Sequence, residues 1–193
     1  MIQKIILASQ SPRRKQLLEW AEIPFEVIVQ FTDESFPTNM PIEEVPVYIA
    51  KNKAEIVKNS LDLTRRQMPI LAADTIVVLD EKIIGKPKDR NEALDILTSL
   101  SDNRHKVITG VVILTDHRLI SFEDTTEVIF HGLTKNEIEF YIDKYKPYDK
   151  AGAYAIQEWI GVVGIKSING DFYNVMGLPV SRVVRELNKL SIQ

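Results

Sequence analysis

The sequence predicts an α/β fold built on a mixed β-sheet flanked by helices, and three observations lead there. Short apolar runs alternate along the chain with segments of helical spacing. One of those runs, Ile70–Leu79, is almost continuously hydrophobic, as strands covered on both faces are. Turn signals between neighbouring runs add hairpins, so the sheet is not expected to be purely parallel.

In chain order, Ile5–Ala8 reads as a buried first strand. Ser11-Pro12 follows, a cap residue with proline at the first helical position, and Leu17, Leu18 and Ala21 give that helix an apolar stripe. Phe25–Val29 reads as a second strand, and the Pro-, Asp-, Thr- and Asn-rich residues 31–43 as a loop. Pro46 opens a helix on which Val47, Ala50, Ala54 and Val57 keep near-helical spacing. Ile70–Leu79 is the central strand. Asp89 and Glu92 form a capping-box-like start for a helix with a stripe of Ala93, Leu94, Leu97 and Leu100.

Val107–Leu114 and Leu119–Phe130 read as paired strands around a Thr115-Asp116-His117 turn. Thr134 and Glu137 repeat the cap signature before a helix to about Lys146, which Pro147 ends. Tyr154–Gln157 and Val162–Ile168 are expected to be strands, with Asn169-Gly170 as a hairpin turn. Pro179 opens a last helix through Val183, Val184 and Leu187.

The 193 residues suffice for one substantial domain, whole or with a split lobe. Their balance of 45% hydrophobic and 26% charged residues is that of a globular chain. With no cysteine, thiolate catalysis and zinc–thiolate sites are excluded, and no disulfide is needed at this size. A net charge of −3 argues against a dedicated nucleic-acid binder, which draws most of its affinity from phosphate neutralisation. The first apolar run is too short for a signal-peptide core or a membrane span, so a cytoplasmic chain without membrane association is expected.

Four segments carry candidate chemistry. Ser9-Gln10-Ser11-Pro12-Arg13-Arg14 lies between a strand end and a helix start, where free N–H groups and the helix dipole favour an anion. Two hydroxyls and two guanidiniums there suit a polyphosphate, although an ordinary capped turn with solvated arginines explains the same residues. Asp74, followed by Thr75, interrupts the central strand with a charge that needs a cation beside it, either a metal or a lysine. Asp33 and Glu34 offer a further carboxylate, or a merely solvated acidic loop. Gly85-Lys86-Pro87 displays a lysine on a rigid turn, and Lys53 stands on its helix; each fits a phosphate or simply solvent. In Asp149–Gln157, small residues allow close backbone approach, and Gln157 carries an amide able to read a base edge. His105, His117 and His131 lack metal-ligand spacing, and neither a Walker-type loop nor a nucleophile elbow occurs. Attack by an activated water is therefore the economical mechanism.

Together these segments resemble the Maf family of nucleotide pyrophosphatases across nearly the whole chain. The pieces that carry the resemblance are Leu7–Arg14, Asp33-Glu34, Lys51–Ala54, Ala73-Asp74-Thr75, Gly85-Lys86-Pro87, Asp149–Gln157 and Gly177-Leu178-Pro179, in the family's order. The resemblance implies a fold similar to the inosine-triphosphate pyrophosphatases, with two lobes around a central cleft. It also implies a divalent metal (Mg²⁺ or Mn²⁺), cleavage between the α- and β-phosphates, and a homodimer. By motif position, Asp74 corresponds to the family's proton acceptor. Ser9, Arg13, Glu34, Lys53 and Lys86 fall where members line the phosphate and metal site, and Arg13, Thr75 and Gln157 at positions linked to base choice in the dTTP- and UTP-hydrolysing branch. The 7-methyl-GTP branch has Ser-Asp-Gln in place of Ala73-Asp74-Thr75 and lacks the Ala-Tyr-x-Ile-Gln run. The run Tyr173-Asn174-Val175-Met176 departs from the glycine or Val-Val found there in many members.

The expected mechanism has Arg13, Arg14, Lys53 and Lys86 holding the triphosphate, with Ser9 on a phosphate. Asp74 and Glu34 bind the metal, and Asp74 or a metal-bound water activates the attacking water. Thr75 and Gln157 contact a pyrimidine edge. Two alternatives remain at this point: a nucleotide-binding regulator of cell division without turnover, and the same chemistry on purine or 7-methyl-GTP nucleotides.

Overall fold

The computed structural model describes residues 2–190. The chain runs β1 (Ile5–Leu7), α1 (Pro12–Trp20), β2 (Phe25–Val27), α2 (Val45–Ser60), α3 (Leu63–Arg66), β3 (Ile70–Leu79), β4 (Lys82–Ile84) and α4 (Arg90–Leu100). It continues through β5 (Arg104–Leu114), β6 (Leu119–Phe130), α5 (Lys135–Tyr145), α6 (Trp159–Gly164), β7 (Ile165–Asn169), α7 (Phe172–Met176) and α8 (Val180–Leu190). The strands form one sheet in the order β2-β1-β3-β5-β6-β7, with β4 paired to β3 outside that path. β1 is parallel to β2 and to β3, with Ile6 opposite Ile70. β4 is antiparallel to β3, and β7 to β6. The sheet is mixed, as the sequence predicts.

The chain divides into two compact units. One comprises the residues up to Asp74, Thr109–Asp124 and those from Gly177 on; the other comprises Thr75–Ile108 and Thr125–Met176. In the first unit, α2 lays Ala50, Ala54 and Val57 against Ile6, Ala8, Ile70, Ala72, Val112 and Leu114. The helix starts close to β5 because residue 110 is glycine: a Cβ there would sit 2.2 Å from the Val47 nitrogen. That close seating fixes the helix that carries Lys53. Ser11 caps α1, its Oγ accepting the Arg14 N–H at 3.4 Å, and Leu17 and Leu18 are fully buried beneath.

In the second unit, α5 has the full capping box of Thr134 and Glu137. α4 has half of one: Asp89 caps Glu92, but the Glu92 carboxylate reaches back to the Lys88 N–H at 2.7 Å rather than to the cap residue. Arg90 forks onto both carboxylate oxygens of Asp143 at 2.7 and 2.9 Å, coupling α4 to α5. Among the described residues, no helix is long and apolar enough to cross a membrane.

Three local expectations need correction. Tyr154–Gln157 is not a strand. Gly152 and Ala153 both take left-handed backbone angles (φ 70° and 56°), and the chain then forms a turn with Tyr154, Ala155 and Ile156 packed as core. Val162–Gly164 belongs to α6, and only Ile165–Asn169 is extended. Both apolar runs were too short for periodicity to tell strand from other buried backbone. Asn169-Gly170 does turn the chain, with Gly170 at φ 133°, but into α7 rather than into a hairpin.

Candidate active site

The candidate site in the first unit grows from the turn between β1 and α1. Ser9 Oγ accepts two hydrogen bonds, from the Ser11 N–H at 3.2 Å and from an Arg14 Nη at 3.1 Å. Arg14 is buried; its Nε also donates to the Gly177 carbonyl and its Nη to the Ala73 carbonyl, both at 2.8 Å. The sequence places both guanidiniums on the polyphosphate, and the bonds that Arg14 makes run inward to the protein. The Arg14 fork ties the Ser9 turn to the residue preceding Asp74 and to the segment that opens α8. Burial lowers its pKa from the usual arginine value, against a raising influence from the negative charge of Asp74. Arg13, one residue earlier on α1, is only half-buried.

Asp74 lies midway along β3 with its side chain 13% exposed. The cation it requires is Lys53: the Nζ lies 2.7 Å from Asp74 Oδ1 and 2.6 Å from Glu34 Oε1. Of the lysine and the metal that sequence left open, the lysine is present, held by the helix that Gly110 seats. The two loop acids part company. Glu34 joins Lys53, whereas the Asp33 carboxylate accepts from the Ser35 N–H and hydroxyl at 2.9 and 2.8 Å, which lowers its pKa. Ser9, Arg14, Glu34, Lys53 and Asp74 thus belong to one connected arrangement, in which one ammonium bridges two carboxylates beside a hydroxyl-lined helix start.

Among the described residues, no group of three or more His, Asp or Glu is placed to hold a metal. Two carboxylates nevertheless fit a magnesium-like ion, which keeps several waters and takes one or two protein carboxylates plus substrate phosphate oxygens. The donor set suits an ion arriving with a nucleotide rather than an all-protein cage.

Thr75, Lys86 and Gln157 lie in the second unit. Thr75 is partly buried on β3, and Lys86 is exposed just after β4. The Gly152 N–H donates to the Gly85 carbonyl at 3.1 Å, so the turn bearing Lys86 is bonded to the loop leading to Gln157. Gln157 is exposed at the tip of its turn. Sequence reasoning missed what holds that tip: the Tyr141 hydroxyl accepts from the Ala155 N–H at 3.2 Å and donates to the Glu158 carboxylate. Tyr141 lies on another helix, and no local pattern links it to residue 157.

A family model described as "Maf-like protein" matches residues 4–190. The chain is 51% identical over 186 residues to a dTTP/UTP pyrophosphatase of Cytophaga hutchinsonii, covering 96% of this chain and 84% of that one. It is 49% identical to the Parabacteroides distasonis protein of that name (95% and 94% covered) and 45% identical to that of Bacteroides thetaiotaomicron (97% and 96%). Among solved structures it is similar to the Staphylococcus aureus Ham1 protein, with a TM-score of 0.49 and 17% identity over 95% of this chain and 100% of that one. Carrying the Ser9–Arg14 turn, the Lys53–Asp74 pair and a match along nearly its whole length, the chain belongs to the Maf family.

Proposed function

We propose that this protein hydrolyses dTTP and UTP to the monophosphate and pyrophosphate. The observation that carries the chemistry is the ammonium of Lys53 lying between Asp74 and Glu34. An acid next to a polyphosphate is of little use to a simple binding module, whereas a hydrolase needs one to accept a proton. The relatives named dTTP/UTP pyrophosphatase support the substrate.

In the proposed reaction, water attacks the α-phosphorus, the bond from that phosphorus to the bridging oxygen breaks, and pyrophosphate leaves with that oxygen. Asp74 accepts the proton the water loses. Lys53 holds Asp74 in place before substrate enters, then turns toward the phosphates. Arg13 and Lys86 contribute positive charge to the triphosphate. Because Ser9 Oγ already accepts two hydrogen bonds, its remaining capacity is its own O–H, which suits it to donate to a phosphate oxygen. Arg14 holds that hydroxyl and the Ala73 carbonyl in register. Mg²⁺ or Mn²⁺ held by Asp74 and Glu34 would supply charge neutralisation on the phosphate oxygens. Base choice is assigned to Thr75 and Gln157, with Arg13.

The test is pyrophosphate release by purified protein from a panel of nucleoside triphosphates, with and without Mg²⁺ or Mn²⁺. Metal-dependent turnover of dTTP and UTP above the purine nucleotides supports the proposal. Tight nucleotide binding without pyrophosphate release would replace it with a regulator, and preferred purine turnover would keep the chemistry and overturn the substrate.

A further inference from the structure

We propose that Tyr141 is a positioning residue for base discrimination, acting through Gln157; the proposal rests on the reading of Gln157 as a base contact. Residues 155–158 form a tight turn closed by the Glu158 N–H donating to the Ala155 carbonyl at 3.1 Å. Gln157 occupies its third position and is exposed, whereas Ala153, Tyr154, Ala155 and Ile156 are buried. The turn therefore presents this one side chain.

A single buried atom holds both ends of that turn. The Tyr141 oxygen accepts from the Ala155 N–H and donates its proton to the Glu158 carboxylate, so it brackets residue 157 from two positions before and one after. The other Glu158 oxygen faces Lys150 Nζ at 3.6 Å, and Lys150 is paired with Asp149 at 2.7 Å. α6 also presses against the same turn: a Cβ on Gly161 would lie 1.8 Å from the Ile156 carbonyl oxygen. Tyr141 is fully buried and stacked on Tyr145 with centroids 5.0 Å apart, a place where phenylalanine fills nearly the same volume. What tyrosine adds is the hydroxyl, which bonds the turn at Ala155 and at Glu158.

The function of that hydroxyl follows from what an amide can read. The carbonyl and amino groups of glutamine match the N–H and carbonyl edge of uracil or thymine, and cytosine presents a different edge. Such discrimination depends on hydrogen-bond distance and angle, and both degrade when the turn that displays the amide loosens. Rigidity of the turn is thereby converted into preference for UTP over CTP.

The experiment uses the full-length protein with Tyr141→Phe, Gln157→Ala and the double variant, measuring kcat and KM for UTP and CTP together with thermal melting. Tyr141→Phe is expected to raise KM for UTP about three- to tenfold, the scale of one hydrogen bond, with kcat little changed. It should narrow the UTP:CTP ratio by a similar factor, and adding it to Gln157→Ala should narrow the ratio no further. An unchanged ratio in Tyr141→Phe beside a narrowed one in Gln157→Ala overturns the positioning role and leaves Tyr141 as a core residue, whatever the melting temperature does. An unchanged ratio in Gln157→Ala overturns the base-contact reading and the proposal with it. If Tyr141→Phe does not fold, Glu158→Gln, which keeps the volume and weakens the same bond, is judged by the same ratio.

Discussion

Replacing Lys53 with methionine keeps an unbranched stem in the slot on α2 but removes the charge lying 2.7 Å from Asp74 and 2.6 Å from Glu34. The two contacts are not equal. The Glu34 side chain is 50% exposed, so its pair with Lys53 is screened and contributes at most about 1 kcal/mol. Asp74 and Lys53 are 13% and 16% exposed, close to interior. Breaking a fully buried pair costs about 3–5 kcal/mol, and at this burial about 1–3 kcal/mol is expected. Urea unfolding of the wild type, Lys53→Met, Asp74→Asn and the double variant measures the coupling by a double-mutant cycle. Coupling of about 1–3 kcal/mol is predicted for Lys53 with Asp74, and less in the matching cycle of Lys53→Met with Glu34→Gln. If the Lys53 and Asp74 effects add to within about 0.5 kcal/mol, the ammonium is not what holds the Asp74 side chain in place on the strand.

Arg14→Met should lower stability by about 2–5 kcal/mol, because the Gly177 and Ala73 carbonyls lose a charged donor at a buried site. Arg13→Met, at a half-buried position, should unfold near wild type yet lose activity; equal stability losses in urea would contradict this division of labour. Stability should also fall at acid pH through His105. Burial holds its pKa down at about 4, with one ring nitrogen bonded to the Tyr154 hydroxyl at 2.8 Å. An unfolded histidine titrates near 6.5, so between those values the unfolded chain binds the extra proton. This contribution is complete above about pH 6.5 and is lost as pH falls toward 4, amounting to up to about 3 kcal/mol. His105→Gln should flatten that part of the curve, measured by urea unfolding across the range, and an unaltered slope would show that other groups cause it.

What sequence made legible was mostly local. Ser11, Thr134 and Pro46 announce helix starts because caps act within one turn, and the continuous apolar run of β3 announces an interior strand. Asp74 was legible as a charge needing a cation, since burial energetics demand a partner, but sequence separation hid whether that partner was Lys53 or a metal. The choice of Glu34 over Asp33 turned on the Ser35 contacts, which close Asp33 onto its own loop. The inward bonds of Arg14 were not legible because its acceptors, Ala73 and Gly177, are remote in sequence, and nothing in an Arg-Arg pair says which side chain turns inward. Tyr154–Gln157 failed as a strand for a similar reason. Two left-handed residues precede it and Gly161 packs against the Ile156 carbonyl, so tertiary contact overrides an apolar run.

The central claim is that Asp74 accepts the proton in a hydrolysis releasing pyrophosphate, and Asp74→Asn tests it most directly. The substitution keeps the shape while removing the base. Pyrophosphate release from dTTP or UTP with Mg²⁺ should fall by about 10²–10⁴-fold, the usual contribution of general base catalysis, while the protein stays folded. Turnover within a few-fold of wild type would contradict the account, because no other residue in it is assigned to take that proton.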